Sequence, residues 1–242
     1  MSQAKKTILL SWSSGKDSAW TLHVLRQQDL YEIVGLITTI NSAFDRVAMH
    51  STRRALVQMQ AAVAGLPLTS VPLPWPCSNA DYESAMQKVC DQAIADGVSA
   101  IAFGDLFLAD IRAYREKQLK DTGLQPLFPL WQIPTDELAH TMVRSGLRAK
   151  LVCVDPKALA PEFVGRDFDD KLLADLPAGV DPCGENGEFH TFVHAGPMFN
   201  HEIPVVTGER LQRDGFWYCD VLPIGTPQKP RSPGRSRLFH SG

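Results

Sequence analysis

The octet Ser11-Trp12-Ser13-Ser14-Gly15-Lys16-Asp17-Ser18 gathers hydroxyls, an ammonium and a carboxylate directly behind a short apolar run. Small residues let the backbone come close to a ligand. Successive N–H groups can converge on one concavity, and a helix that follows adds unpaired donors and a partial positive charge. Such a loop is an anion site, and phosphate is the usual anion. Ser13, Ser14 and Ser18 supply hydroxyl donors, and Lys16 supplies a full positive charge. Asp17 would repel phosphate; it fits better as a ligand, direct or through water, for the magnesium that accompanies ATP. A Walker loop is excluded, because Leu10 and Asp17 stand where that pattern needs glycine and a serine or threonine. A dinucleotide fingerprint is excluded too, since G-x-G-x-x-G is absent. The plain alternative is a serine-rich turn with Asp17 capping the next helix.

Other reactive residues carry weaker patterns. Cys77, Cys90, Cys153, Cys183 and Cys219 include no C-x-x-C pair, which reads as ordinary reduced thiols. Cys183 and His190 could be a thiol nucleophile and its base, as in a glutamine amidase, but nothing in the sequence fixes their geometry. His190 and His194 would share a metal on a helix; on a strand, that spacing leaves them about 13 Å apart. Arg112, Arg115 and Glu116 read equally well as cleft residues and as a solvated helix face, while Trp131 reads as core.

The elements that must position these groups follow a repeating pattern. Residues 7–10, 33–37, 68–73 and 99–103 read as strands, and 17–28, 53–64, 80–95 and 109–122 as helices, with a short apolar run at 127–130. This alternation predicts an α/β fold, a Rossmann-like parallel sheet with helices on both faces. After a helix at 136–145 the pattern changes: a strand at 149–154, a short helix at 167–176, a loop at 181–188 with two glycines and three acids, and strands at 189–193, 205–206 and 217–222. The expected organisation is an ATP-binding domain at 1–146, a smaller substrate-side α+β domain at 147–223, and a disordered basic, proline-rich tail at 224–242.

The chain has 242 residues, of which 44% are hydrophobic, enough for a substantial core. A formal net charge of -3 provides no basic field for nucleic acid. No stretch reaches the roughly 18 apolar residues that span a bilayer, and the apolar run at 8–12 is too short for a signal peptide. A cytoplasmic protein without a membrane is expected; a homodimer is compatible with the sequence.

Residues 13–18 resemble the S-G-G-x-D-S loop of the N-type ATP pyrophosphatases (the PP-loop superfamily), with Ser14 where the second residue is usually glycine. The likeness continues in order along the chain. His50, Arg53-Arg54, Gln60-Ala61 and Gly65-Leu66-Pro67 resemble the second helix of the diphthine–ammonia ligase branch. Gly104-Asp105 with Arg112, Arg115 and Glu116 resembles its next block, and Pro129-Leu130-Trp131 its P-L-W. Gly184-Glu185-Asn186-Gly187-Glu188-Phe189-His190-Thr191 resembles its G-E-G-G-E-Y-E-T signature. Asn186, Phe189 and His190 depart from it: the second loses a hydroxyl, and the third exchanges an acid for a possible base or cation.

The resemblance implies a HUP-type fold and a ligase that adenylates a substrate carboxylate with ATP, releases pyrophosphate, and amidates the acyl-adenylate with ammonia. It implies that Ser11, Ser13, Ser14, Gly15, Lys16 and Ser18 hold the phosphates and Asp17 the magnesium, with His50, Gly104 and Asp105 on the nucleotide side. Adenine would lie across the carboxyl ends of the first two strands at Leu36, Ile37 and Thr38, because open parallel sheets bind ligands at that edge. Lys16, Asp17, Glu185, Glu188 and His190 become the catalytic candidates, the last three facing ammonium and a carboxylate acceptor, which in this branch is a modified protein such as elongation factor 2. A tRNA-modifying enzyme of the same superfamily and a non-catalytic adenine-nucleotide sensor remain as alternatives.

Overall fold

A computed structural model describes residues 5–47 and 50–224 of the chain. The tail expected to be disordered lies outside these residues, except for Ile224.

The opening strand, β1 (Lys6–Ser11), lies at the middle of a mostly parallel sheet. It pairs with β2 (Tyr31–Asn41) on one side and β5 (Ala100–Ala102) on the other. Beyond β2 lies β4 (Leu68–Leu73), and beyond β5 lies β6 (Gln125–Leu127). The chain therefore builds outward from β1 through β2 to β4, then crosses back to β5. This reversal sits between the carboxyl ends of β1 and β5, where open α/β sheets open a crevice for ligand.

The pleat explains why helices cover both faces. Ile8 and Leu10 pack with Leu22 and Leu25 of α1 (Lys16–Gln28) and Val57 and Ala61 of α2 (Arg54–Ala64). Leu9, Ile37 and Ile101 face the other way, toward Cys90 and Ala93 of α3 (Asn79–Ala95) and Leu119 of α4 (Ala109–Leu119). Alternate residues of one strand thus feed two cores. β2 outruns β1: the last β1 partner is Ile37, and beyond it Ile40 and Asn41 pair antiparallel with β3 (Arg46–Val47), a two-residue strand too short to show in the sequence pattern.

The second sheet is antiparallel, in the order β8-β7-β10-β9, built from β7 (Arg148–Val154), β8 (Phe189–Ala195), β9 (Val205–Arg213) and β10 (Phe216–Pro223). Helices α5 (Thr135–Arg144) and α6 (Asp170–Asp175) flank it, the latter capped by Asp169 onto the Leu172 amide. β9 runs well past the two valines expected of it, because an edge strand can be polar and still pair along its whole length with β10. The run expected at 127–130 instead pairs at 125–127, and Pro129 beyond it has no N–H to continue a ladder.

The expected α/β sheet with helices on both faces and a distinct smaller sheet behind it is the architecture found. One hydrophobic cluster joins the two sheets, running from Ile8, Leu10 and Leu22 to Leu151, Val154 and Val193. Among the described residues, no helix is long and apolar enough to cross a membrane.

Candidate active site

The turn after β1 leaves the strand at Trp12, whose indole sinks into the core and donates to Gln60 Oε1 at 2.8 Å. Ser13 and Ser18 hydroxyls lie 3.2 Å apart, and Ser18 Oγ reaches Gly15 O at 3.1 Å, closing the loop on itself. Gly15 is the N-cap of α1 and has no capping side chain, which leaves the helix N-terminus to other partners. A Cβ on Gly15 would stand 2.7 Å from His50 Cε1, so the His50 ring lies directly on the loop backbone.

Strand β8 supplies one wall. It is the edge of the second sheet, and its free side docks on the loop: Val193 N donates to Ser14 O at 3.1 Å, and Thr191 Oγ1 accepts from Lys16 N at 3.0 Å. Thr191 O meets His50 Nδ1 at 3.1 Å. Gln60, fully buried, completes the joint by donating to Ser14 O at 3.0 Å and Val193 O at 2.6 Å. Gln60→Leu would strand the Trp12 N–H and take one donor each from the Ser14 and Val193 carbonyls, so we expect a loss of about 2–3 kcal/mol in denaturant unfolding; an unchanged midpoint would show that the joint is dispensable.

The opposite wall follows β5. Gly104 lies against the start of α1, where an added Cβ would stand 2.9 Å from the Asp17 carbonyl carbon and 3.0 Å from Ser18 N. Both obstacles are backbone, so Gly104→Ala must push the helix N-terminus aside. We expect that substitution to cost about 1–3 kcal/mol in stability; thermal melts of parent and variant check it.

These walls enclose a cleft of about 440 Å³ lined by Ser11, Ser13, Lys16, Asp17, Ser18 and His50, with Gly104, Asp105, Glu185 and His190 among the residues facing them. A second hollow of about 150 Å³ shares Ser11, Ser13, Phe103 and Arg115 with it and runs on to Ile37, Thr39 and Tyr82.

The charges of the cleft are unevenly solvated. Lys16 Nζ donates to both Asp17 carboxylate oxygens at 2.8 Å and to the Cys183 carbonyl. Burial alone would lower its pKa, but the Asp17 carboxylate and its neighbours outweigh burial and hold the ammonium above its ordinary range. Glu185 Oε1 accepts from Leu106 N at 2.9 Å. Burial, reinforced by Asp17, raises this carboxyl to about 7 against the pull of that amide and of Lys16. Asp105 is raised as well, by burial first and by Asp17, although Arg115 Nε lies 3.7 Å away. The His50 and His190 rings lie against each other, centroids 4.7 Å apart and planes tilted by 42°. Burial lowers both, His190 to about 3, so at neutral pH the pair is uncharged.

Comparison with known proteins decides the relationship. Residues 134–222 match the family model described as the diphthamide synthase C-terminal domain. The diphthine–ammonia ligase of Bos taurus is 27% identical over 181 residues, which cover 72% of this chain and 67% of that protein. The human protein of the same name is 31% identical over 135 residues, 53% of this chain and 49% of the relative. That of Schizosaccharomyces pombe is 31% identical over 126 residues, 50% of this chain but 21% of the relative. The chain is a distant homologue of the diphthine–ammonia ligases. It spans about half the length of the human ligase and a fifth of the yeast one.

Against that relationship, several side chains differ from their expected placement. Ser14 does not offer its hydroxyl to the cleft. Its φ of 76° is a left-handed backbone that suits glycine, and its buried Oγ donates to Thr52 Oγ1 at 2.9 Å. Leu36 is fully buried in the core, and Thr38 Oγ1 is buried without a partner, so neither side chain faces the hollow that Ile37 and Thr39 line. The Ile37 carbonyl already accepts from Trp12 N at 2.7 Å. β2 outruns β1, and of Leu36, Ile37 and Thr38 it is Ile37 that lines the hollow, with Thr39 beyond it.

Glu188 also turns away from the cleft: its Oε1 accepts from Asp181 N at 2.9 Å and Asn186 Nδ2 at 3.1 Å, tying the 181–188 loop together. Of the arginine block, Arg115 lines the cleft, while Arg112 pairs with Glu116 at 2.8 Å and lies over the Phe128 and Trp131 rings. His194 lies beside Glu202 rather than with His190, and no metal-ligating group of three or more is gathered among the described residues. The Cys183 thiol contacts Thr135 O at 3.4 Å, and burial pushes its pKa far up, the opposite of an activated nucleophile. Sequence reasoning missed Thr52 and Thr191; the second closes the G-E-N-G-E-F-H-T run and could have been flagged by its place in it.

Magnesium does not need a dedicated cage; it takes one or two carboxylates and completes its shell with phosphate oxygens and water. Asp17 and Asp105 both face the cleft, and Asp105 Oδ2 is a buried oxygen without a hydrogen-bond partner. That pair fits a divalent cation.

Proposed function

We propose that this chain is an ATP-dependent ligase that joins ammonia to a carboxylate through an acyl-adenylate. The observation that carries this reading is the meeting, in one cleft, of the turn after β1, the Gly104-Asp105 segment and Glu185, a carboxyl titrating at about 7. The first is an anion site at the sheet's reversal point, the second brings the Asp105 carboxyl to it for a divalent cation, and the third can take a proton from an attacking amine.

In this reading the triphosphate lies along the N-terminus of α1 and the Ser13 and Ser18 hydroxyls, with adenine in the hollow at Ile37, Thr39 and Tyr82. The acceptor carboxylate attacks the α-phosphorus, and pyrophosphate leaves. Magnesium, when bound by Asp17 and Asp105, supplies charge neutralisation for the polyphosphate. The helix N-terminus supplies donors already in place, so little reorganisation is needed as charge builds. Glu185 accepts the proton that ammonia sheds as it attacks the acyl-adenylate. His50 and His190 present neutral imidazoles to the acceptor end. By analogy with the relatives' names, the acceptor is a diphthine-type carboxylate; the resemblance of the motifs adds that a modified protein such as elongation factor 2 carries it.

Incubation with ATP, magnesium, ammonium and candidate carboxylates tests this. AMP and pyrophosphate should appear in equal amounts and depend on both co-substrates. ADP with orthophosphate, or nucleotide unchanged with every acceptor, would defeat the reading.

A further inference from the structure

Lys16 occupies the position in the loop where a phosphate-gripping lysine is expected, yet its ammonium points into the protein. The residue is only 2% exposed. An ammonium has three donors, and here all three have takers: the two Asp17 oxygens and the Cys183 carbonyl. The Phe168 and Phe189 rings enclose it further, with centroids 5.9 and 5.6 Å from Nζ. To reach a phosphate, Lys16 would have to abandon a buried carbonyl and leave the gap between those rings. Both changes are unfavourable in a desolvated site.

The partners of this ammonium belong to two parts of the cleft. Asp17 sits in the first turn of α1, at the anion site. Cys183 lies two residues before Glu185 in the 181–188 loop, whose turn is closed by Gly184 N to Asp181 O at 2.8 Å and Gly187 N to Gly184 O at 3.1 Å. Glu185 in turn reaches back across the cleft to Leu106 N. One buried ammonium therefore fixes the aim of Asp17 and the position of the loop that carries Glu185.

We propose that Lys16 is a positioning residue that pins the 181–188 loop to the anion site and acts through Asp17 and Glu185, not by gripping the triphosphate. The inference builds on the ligase reading, since it assigns Lys16 its effect on that reaction. It predicts that nucleotide affinity and turnover separate when the pin is removed.

The test is Lys16→Met, followed by ATP titration calorimetry, steady-state kinetics with ammonium, and amide hydrogen exchange of the 181–188 segment. We expect ATP affinity within about threefold of the parent, a KM for ammonium raised about tenfold or a kcat lowered about a hundredfold, and faster exchange in the loop. An ATP affinity lowered about thirtyfold or more, with loop exchange unchanged, would overturn the proposal. If the variant does not fold, the parent protein decides: with ATP and magnesium added, loop protection that holds or rises supports the pin. Protection that is lost means Lys16 has left Cys183 for the phosphates, and the proposal fails. Absence of AMP formation by the parent with every acceptor would sink the ligase reading, while the exchange experiment would still rule on the pin.

Discussion

Glu185→Gln is expected to slow amide formation by about a hundred- to a thousandfold while leaving ATP binding nearly intact. The side chain keeps its size and can still accept from Leu106 N, but it can no longer take a proton. Measured at a fixed concentration of free ammonia, the parent should lose activity as pH falls through about 7, where Glu185 becomes protonated. The variant should lack that limb. Its stability should move the other way. A carboxyl with a raised pKa in the fold opposes folding wherever the unfolded chain is ionised and the native one resists ionisation. The parent therefore loses stability as pH rises from the ordinary carboxylate range toward 7. At neutral pH the glutamine variant should be more stable by about 1–2 kcal/mol, after allowance for solvent screening in an open cleft. Chemical unfolding in magnesium-free buffer at two pH values reads this directly. Equal activity with a flat difference in stability would remove Glu185 from the reaction.

Asp17→Asn should have the largest effect on rate, a loss of about a thousandfold in AMP formation with ATP affinity reduced less than tenfold. The carboxylate has two tasks. It is one of the two acids suited to a divalent cation, and it neutralises the buried Lys16 ammonium. Asparagine keeps one acceptor for Nζ but loses the charge. Breaking a buried pair from one side costs about 3–5 kcal/mol; the partly exposed Asp17 should lie at or below the low end. Because Lys16 is held above its ordinary pKa, the stability its ammonium contributes is fully present at neutral pH and is lost as pH rises beyond the lysine range. A variant that folds, binds ATP and turns over at the parental rate would show that Asp17 serves structure alone.

The sequence carried the local information. Apolar runs of strand length, helix-length periodicity and stop-signal glycines were enough to place the alternating elements, and the chain order was enough to make the sheet parallel. The octet after the first strand announced an anion site because small residues, hydroxyls and a helix start are chemistry within a few bonds of one another. The tertiary structure decided where the side chains aim. Thr191 and Lys16 are 175 residues apart, and only the docking of β8 on the loop brings Thr191 Oγ1 to the Lys16 amide. Contacts with other distant segments spend the Ser14 hydroxyl on Thr52, turn Lys16 inward to Cys183, and separate two glutamates that look alike in sequence: Glu185 crosses the cleft to Leu106, while Glu188 ties its own loop. Periodicity sets which face of an element is buried. The direction of a polar side chain in a loop is set by whichever distant backbone group must be satisfied there, and no spacing along the chain encodes that partner.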